Sequence, residues 1–505
     1  MHASLEKRRC IPEDKTIRGK RGYYMEKTQS QTNRIGQDFS LWQLIRFALP
    51  AILTHLCTQL FRSMDDGLFV SRYVGERALS SISVLSPVNS IIMAFAQLFA
   101  VGASTLSAQR MGRHDQQEAK RILTRIAIIA VAVGAAFALV LNVFCDPICH
   151  FLGADEELIE NSRIFVRIVF TDTPINLLIA VFGAYYSTAG KPQMGLFCSL
   201  LSGAVNIIFD ILFIAVWRWG VVGSSLSTVL GELAVCVVGL IFFGNKKHEI
   251  HFIQPRGGYG ETLQAAWKSG FSQFINSISF SIVNLITNKT LLSILGADGV
   301  AANTIISDLR IVLNAAFVGY VTCVGPVIAY NYGSRDAKRL KKILTHNLKF
   351  WFFGTILTTI LGQLLRGPLI SIFFGNSTSS SLFDMTYLGL TIEFFSVPFT
   401  CGCIFVMRMF VALGNPNTAS VLTISRNFIF RLSMLLLLPW LLGELGVWLA
   451  IPVSELLSFI VAAVLVIRNA DNYGYGKKGL ALRMQHTLSK EEQEKLMETA
   501  GEGEE

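Results

Sequence analysis

The sequence predicts an all-α integral membrane protein whose roughly twelve transmembrane helices form two homologous six-helix bundles. Hydrophobic residues make up 52% of the 505-residue chain and charged residues only 16%, whereas soluble domains carry about 25% charged residues. Apolar stretches of bilayer length, about 20 residues each, recur throughout. The two halves are also related by a repeat, because Gly75 and Gly112 recur 221 residues later as Gly296 and Gly333. Such a long repeat in so apolar a chain is typical of secondary transporters.

The apolar stretches give the helices in chain order. In the first half they cover residues 44–71, 79–108, 122–144, 163–187, 194–216 and 221–243. In the second half they cover residues 270–295, 303–330, 343–366, 383–411, 418–442 and 446–468. These runs are too long and too continuously apolar for barrel strands, so helices are the expected spanning structure. We therefore predict an N-terminal lobe at 41–243, a linker at 244–268, a C-terminal lobe at 269–468, and tails at 1–40 and 469–505.

The distribution of charge predicts how the chain is oriented. Lys and Arg cluster after the second and eighth stretches, from Arg110 to Arg125 and from Arg335 to Lys342, whereas the loop at 145–162 carries acids and neither Lys nor Arg. By the positive-inside rule, both termini and the linker are cytoplasmic. Residues 1–40 are polar and basic, which predicts a disordered cytoplasmic tail. The net charge of +9 therefore follows from this orientation and does not indicate nucleic-acid binding. We expect a multi-pass protein of the plasma membrane whose partners are membrane lipids.

Motifs for enzymatic chemistry are missing from the sequence. It contains no G-x-x-x-x-G-K-[ST] phosphate loop, no His/Cys cluster with zinc spacing and no recognisable pair of nucleophile and base. His114-Asp115 lies in a basic loop, where we expect it to cap or solvate the next helix. We expect a protein that is not an enzyme and that has no cofactor.

Polar side chains inside the first six stretches suggest a cation site. Ionisable groups cost on the order of 3 kcal/mol each at the centre of a bilayer, so those that persist are functional candidates. Asn206 and Asp210 are spaced i, i+4 and share one helical face. Their oxygen atoms suit a hard cation, and a desolvated Asp could equally carry a proton. The alternative is an interhelical hydrogen bond that only joins two helices. Asp66 and Thr228 are further candidates in this half.

The second half carries a different set of polar groups. Residues 421–442 contain Arg426 and Arg431 but no carboxylate. Glu393 has two open interpretations: it attracts a cationic, lipophilic ligand, or it is the internal partner of an arginine such as Arg408 or Arg431. We expect a substrate cavity lined by polar residues of both halves, namely Gln59, Asp172, Asn284, Glu393 and Arg431.

Several motifs together resemble those of multidrug and toxic compound extrusion (MATE) transporters. Pro50 and the run from Asp66 to Gly75, followed by Ala78-Leu79, look like the family's first-helix signature. Further matches follow in order: Ala108-Gln109 with Gly112, Gly190-Lys191-Pro192, Asn206 with Asp210, Gly223 to Thr228, and Gly446 to Pro452. The resemblance covers roughly residues 40–470, and it depends on the order and duplication of motifs that are individually weak.

The resemblance implies a V-shaped, two-lobe exporter of lipophilic or cationic small molecules, driven by inward proton or sodium flux. The family's N-lobe cation ligands match Asp66, Asn206, Asp210 and Thr228, with Asp66, Asn206 and Asp210 as the Na⁺ ligands if sodium is the coupling ion. Pro50 would be the hinge. Ser71 and the Asp65-Asp66 doublet depart from the family pattern, and the doublet leaves open which acid is the ligand. We expect a monomer.

A flippase for lipid-linked saccharides with the same two-bundle fold is the alternative function. Such a protein would line its cavity with cationic groups for pyrophosphate, and three arginines of the second half fit that expectation: Arg408, Arg426 and Arg431.

Overall fold

The fold is described by a computed structural model for residues 34–64, 74, 81, 84–152, 158–374, 380–470 and 473. Within these residues, twelve helices are long and apolar enough to cross a membrane. They are α1 (Leu41–Met64), α2 (Ser86–Gly112), α3 (Gln116–Val143), α4 (Ile159–Thr188), α5 (Pro192–Val216), α6 (Gly220–Gly244), α7 (Tyr259–Gly296), α8 (Asp298–Gly333), α9 (Lys338–Ser371), α10 (Leu382–Ala412), α11 (Pro416–Leu442) and α12 (Glu444–Asn469). The predicted fold class is confirmed.

Helix α7 begins earlier than the sequence suggested. Its first residue is Tyr259, ahead of the predicted start near residue 270, so the linker between the lobes is shorter than predicted. Gly258 precedes the helix with a φ of 73°, which breaks the chain direction there. The first turns carry Glu261 and Lys268, and these charges lower the hydropathy that located the apolar stretch. At its other end, α7 is separated from α8 by a break at Gly296, whose φ and ψ are 67° and −159°.

Residues 34–40 belong to the predicted disordered tail, yet they pack against the C-terminal lobe. Ile35 and Phe39 are buried. Arg339 donates from Nη1 to the carbonyl oxygen of Gly36 over 3.0 Å, and Lys342 Nζ lies 2.7 Å from Asp38 Oδ1. The prediction of disorder was wrong for this part of the tail, because two apolar side chains within a polar sequence are enough to hold it in place.

The two lobes meet where α2 crosses α8, and two glycines make the close approach possible. A Cβ atom on Gly112 would lie 2.1 Å from the carbonyl oxygen of Tyr330, and one on Gly333 would lie 2.2 Å from the carbonyl oxygen of Gln109. The 221-residue repeat relates Gly112 to Gly333 and Gln109 to Tyr330. The two contacts are therefore the same contact, made once by each half of the chain.

Two further crossings between the lobes follow the same pattern. Helix α2 packs on α7, where a Cβ on Gly102 would lie 2.2 Å from the carbonyl oxygen of Ala266. Helix α8 packs in the equivalent way on α1, where a Cβ on Gly319 would lie 2.6 Å from the carbonyl oxygen of Ala51. The central helices α2 and α8 thus join the lobes by a pseudo-twofold arrangement.

Candidate functional site

Helix α5 presents the predicted pair Asn206 and Asp210 to its neighbour α6. Asn206 is 8% exposed and Asp210 is fully buried. Ser227 on α6 donates a short hydrogen bond to Asp210 Oδ1. Gly231, one turn further along α6, leaves space for Asn206, whose Cβ would lie 3.6 Å from a Cβ at that glycine. The i, i+4 face expected from the sequence is therefore buried at the α5–α6 contact.

The backbone changes character directly after Asp210. Residues Ile211–Val216 form a π-helical turn, and Trp217 N donates to the carbonyl oxygen of Leu212 over 2.9 Å. Short π segments inside α-helices occur frequently at functional sites, because the wider turn re-aims the neighbouring side chains. The position of this turn, directly after Asp210, therefore indicates a functional site near the end of α5.

In the part of the chain that the structure describes, the hydrogen bond to Asp210 comes from Ser227 and not from Thr228. Thr228 Oγ1 donates instead to the carbonyl oxygen of Ser224, one turn earlier, over 3.0 Å. Ser227 was not among the residues predicted from the sequence, although it belongs to the hydroxyl run that begins at Ser224. Asp66, the fourth predicted ligand, lies outside the described residues, as does its neighbour Asp65. Their roles stay predictions.

The donor set around Asp210 consists of oxygen atoms. No group of three or more His, Cys, Asp or Glu side chains suited to a metal ion occurs in the described part of the chain. A carboxylate, an amide and hydroxyl groups are hard ligands, which suit a proton or a hard monovalent cation better than a transition metal. The predicted use of Asp66, Asn206 and Asp210 for Na⁺ stays a prediction.

A second acidic pair lies in the same lobe, between α4 and α6. Asp172 ends a 3-10 segment, Phe170–Asp172, within α4 and is 6% exposed. Glu232 of α6 lies beside it, next to Asn176, which is one turn further along α4 than Asp172. Asn176 Nδ2 donates to both oxygens of Glu232, over 3.0 and 3.2 Å. Asp172 was predicted from the sequence to line the substrate cavity, and Glu232 had no predicted role.

In the C-terminal lobe, the arginines of α11 are bound by an acid from α12. Glu455 is fully buried and receives two hydrogen bonds from Arg426, from Nε over 2.8 Å and from Nη2 over 2.9 Å. Arg431 adds a third from Nη2 over 3.1 Å. Glu455 was not predicted from the sequence, because the acid and the arginines belong to different helices and share no local spacing.

Glu393 pairs with an arginine other than the two that were expected. Its Oε1 lies 3.4 Å from Nη1 of Arg310 on α8 and 3.3 Å from Oγ of Ser396, so the predicted partners Arg408 and Arg431 were wrong. Helix α8 packs beside α10, which brings Arg310 to Glu393, whereas Arg431 is held by Glu455. The alternative in which Glu393 is internally paired therefore describes the geometry.

The remaining predicted residues are more accessible. Gln59 is half-buried and Asn284 is exposed. Helix α1 continues through Pro50, whose carbonyl oxygen accepts a hydrogen bond from Thr54 Oγ1 over 2.8 Å. Asp115 caps α3 by accepting from the backbone N–H of Glu118, which confirms the cap expected at this loop.

The fold and the asymmetric polar interior define a two-lobe transporter. The MatE family matches the sequence twice, at residues 50–212 and 270–437, once within each lobe. The chain therefore belongs to the MatE family, and it is a multi-pass membrane protein of the MATE type.

Individual relatives are distant but cover nearly the whole protein. Multidrug export protein MepA of Staphylococcus aureus (strain bovine RF122 / ET3-1) is 23% identical over 424 residues, which are 84% of this chain and 92% of MepA. Multidrug export protein MepA of Staphylococcus saprophyticus is 21% identical over 445 residues, 86% of this chain and 96% of that protein.

Solved structures share the fold. An outward-facing multidrug resistance MATE family transporter of the MOP superfamily superimposes with a TM-score of 0.82 at 20% identity, covering 88% of this chain and 99% of that one. A second match is a MOP superfamily transporter from Pyrococcus furiosus, described as having a binding pocket of reverse polarity. It superimposes with a TM-score of 0.79 at 20% identity, covering 85% of this chain and 96% of that one.

Proposed function

We propose that the protein exports lipophilic or cationic small molecules across the plasma membrane in exchange for H⁺ or Na⁺, with the coupling cation bound in the N-terminal lobe. The buried Asn206–Asp210 face is the observation that carries this proposal. A charged acid away from water is costly, and its retention at a π-helical turn favours a binding function over simple helix contact. The names of the relatives, which are multidrug export proteins, support the substrate class.

The coupling follows from neutralisation of the acid. In the proposed cycle, the cation binds Asp210 and Asn206 together with Asp66, and neutralising Asp66 lets α1 rearrange near Pro50. The substrate then leaves. Coupling requires that cation and substrate differ in their affinity for the two conformations, since equal affinities would drive nothing. Gln59 and Asn284 are the predicted cavity residues that remain accessible to a substrate.

The lobe contact supports an outward-open state. Gly112 and Gly333 end α2 and α8, and each is followed by a short loop and a helix start that together are rich in Lys and Arg. With these loops on the cytoplasmic side, the crossing of α2 and α8 closes the cavity toward the cytoplasm. The space between the lobes then opens to the outside, where substrate is released and the cation enters.

The flippase alternative has less support. It depended on unpaired arginines for a pyrophosphate group, and two of the three, Arg426 and Arg431, are bound to Glu455. We therefore favour drug antiport. Binding of purified protein to ethidium and to a lipid pyrophosphate would separate these functions.

Dye efflux tests the proposal. Cells that overexpress the protein should extrude ethidium, and Asp210→Asn should abolish efflux. Asp146→Asn is the matched control, because Asp146 is an exposed acid outside the spanning helices, in the segment between α3 and α4, and it pairs with Arg163 at the start of α4. Efflux by Asp210→Asn at the wild-type rate would remove the proposed site. Proteoliposomes with a pH gradient or a Na⁺ gradient imposed separately would identify the coupling ion.

A further inference from the structure

The pair of carboxyl groups formed by Asp172 and Glu232 lies deep in the N-terminal lobe. Asp172 is near the middle of α4, which spans Ile159–Thr188, and Glu232 is at the middle of α6, which spans Gly220–Gly244. Both acids are therefore far from either membrane surface. Acids at this depth are expensive to ionise and are found where they serve a function.

The hydrogen bonds around the pair are unequal. Glu232 accepts from Asn176 on both oxygens. Neither oxygen of Asp172 receives a hydrogen bond from any residue that the structure describes, although 94% of this residue is buried. Glu232 is its acidic neighbour, since Asn176 is one turn from Asp172 on α4 and holds the Glu232 carboxyl group. Ionised carboxylates only accept hydrogen bonds, so neighbouring carboxyl groups can bond to each other only when one of them carries a proton.

The surroundings offer no charge that would replace this proton. Cys236 lies one turn beyond Glu232 on α6 and is a titratable neighbour of the pair. Among the described residues, neither acid forms an ion pair with a lysine, arginine or histidine. Two like charges in contact and away from water repel strongly, and one of the two groups is then expected to stay neutral.

Tight packing prevents the acids from moving apart. A Cβ on Gly134 of α3 would lie 2.5 Å from the Cα atom of Pro174, so α3 presses directly on the backbone next to Asp172. On the other side, the hydrogen bonds from Asn176 fix Glu232. The backbones that carry the two acids are therefore held in place, and a proton relieves the repulsion without moving the helices.

We propose that Asp172 and Glu232 form a second protonation site, which holds one proton shared between the two carboxyl groups. The site is distinct from the one at Asp210. Ser227, which contacts Asp210, precedes Glu232 by five residues on α6, a rise of about 7.5 Å along the helix. That this proton contributes to antiport rests on the proposed function. That the pair holds a proton does not.

Infrared difference spectroscopy of the purified protein in lipid nanodiscs tests the site directly. A neutral carboxyl group gives a C=O stretching band that shifts in D₂O. At neutral pH the wild type should show such a band, and one component of it, with the area of one group, should belong to the pair. Asp172→Asn and Glu232→Gln should each lose it, because the new amide donates to the remaining carboxylate as the shared proton did. Asp210→Asn is the control and should retain it.

The possible spectra separate a shared proton from a sodium ion at this pair. A band whose area is the same in Asp172→Asn and in Glu232→Gln as in the wild type, or the absence of any such band from the wild type, would overturn the proposal. A wild-type band that disappears on addition of NaCl at constant pH would also overturn it, since the pair would then be a Na⁺ site. Because the measurement needs no transport, it can succeed even if Asp210→Asn leaves dye efflux unchanged and the antiport proposal fails.

Discussion

The crossing of α2 and α8 allows a sharp test of lobe packing. Replacing Gly333 by Ala places a Cβ 2.2 Å from the carbonyl oxygen of Gln109, whereas ordinary contacts of this kind are 3.4–4 Å. The helices must separate by about 1.2 Å, because a backbone oxygen cannot rotate away. Overpacking of this kind costs about 1–3 kcal/mol. Gly333 does not have a positive φ, so Ala fits the backbone and the whole penalty comes from the contact.

A matched variant isolates the contact. Gly183 is an exposed glycine within α4, and a Cβ there meets nothing within 4 Å. Ala at this position should be neutral or stabilising by up to about 1 kcal/mol, from helix propensity alone. The assay is the free energy of unfolding in mixed micelles titrated with SDS, which avoids the irreversibility of heating. Gly333→Ala should unfold more easily than the wild type, and Gly183→Ala should not.

The repeat adds a second arm to this test. Gly112→Ala should destabilise the protein to about the same extent, since a Cβ there would lie 2.1 Å from the carbonyl oxygen of Tyr330. The double variant should lose less than the sum of the two single losses, because the first methyl group already opens the crossing for the second. Equal stability of Gly333→Ala and Gly183→Ala, or strict additivity of the two crossing variants, would refute the reasoning.

Three further predictions follow from buried charges and the linker. Glu455→Gln leaves two buried arginines uncompensated and should cost about 3–5 kcal/mol in the same unfolding assay. Burial raises the pKa of Glu249 in the linker from 4.5 to about 7. The folded state therefore binds this proton more tightly than the unfolded state does, and wild-type stability falls as the pH rises from 4.5 to 7. The stability gained by Glu249→Gln should accordingly be larger at pH 8 than at pH 5. Arg125 donates to the linker carbonyl of Arg256 over 2.8 Å, so Arg125→Ala should speed tryptic cleavage of the linker, whereas Arg121→Ala should not.

Much of the fold could be predicted because its signals are local or repetitive. The length of each apolar run located the helices, and the recurrence of Gly112 as Gly333 identified the two lobes. The start of α7 at Tyr259 could not be found in this way, because its first turns are polar and a hydropathy signal ignores them. Helix boundaries depend on backbone breaks such as Gly258 as well as on composition.

The polar interior was predictable only where partners share one helix. The i, i+4 spacing of Asn206 and Asp210 put both on one face, and both are buried on it. Pairs between helices left no such trace: Glu455 is 29 positions from Arg426, and Glu393 is 83 positions from Arg310. Sequence spacing carries no information about which helices pack together, so these partners required the structure.

The reciprocal glycine contact has a consequence for how the two halves can associate. Residue 112 of one half meets residue 330 of the other, and residue 333 meets residue 109, so the same patch is used on both sides. This is the geometry of an isologous interface, the kind that joins identical subunits into a dimer, here enclosed in a single chain. Each six-helix half therefore carries a self-complementary surface. Separately expressed halves should recognise each other through this surface, and two copies of one half compete for the same place.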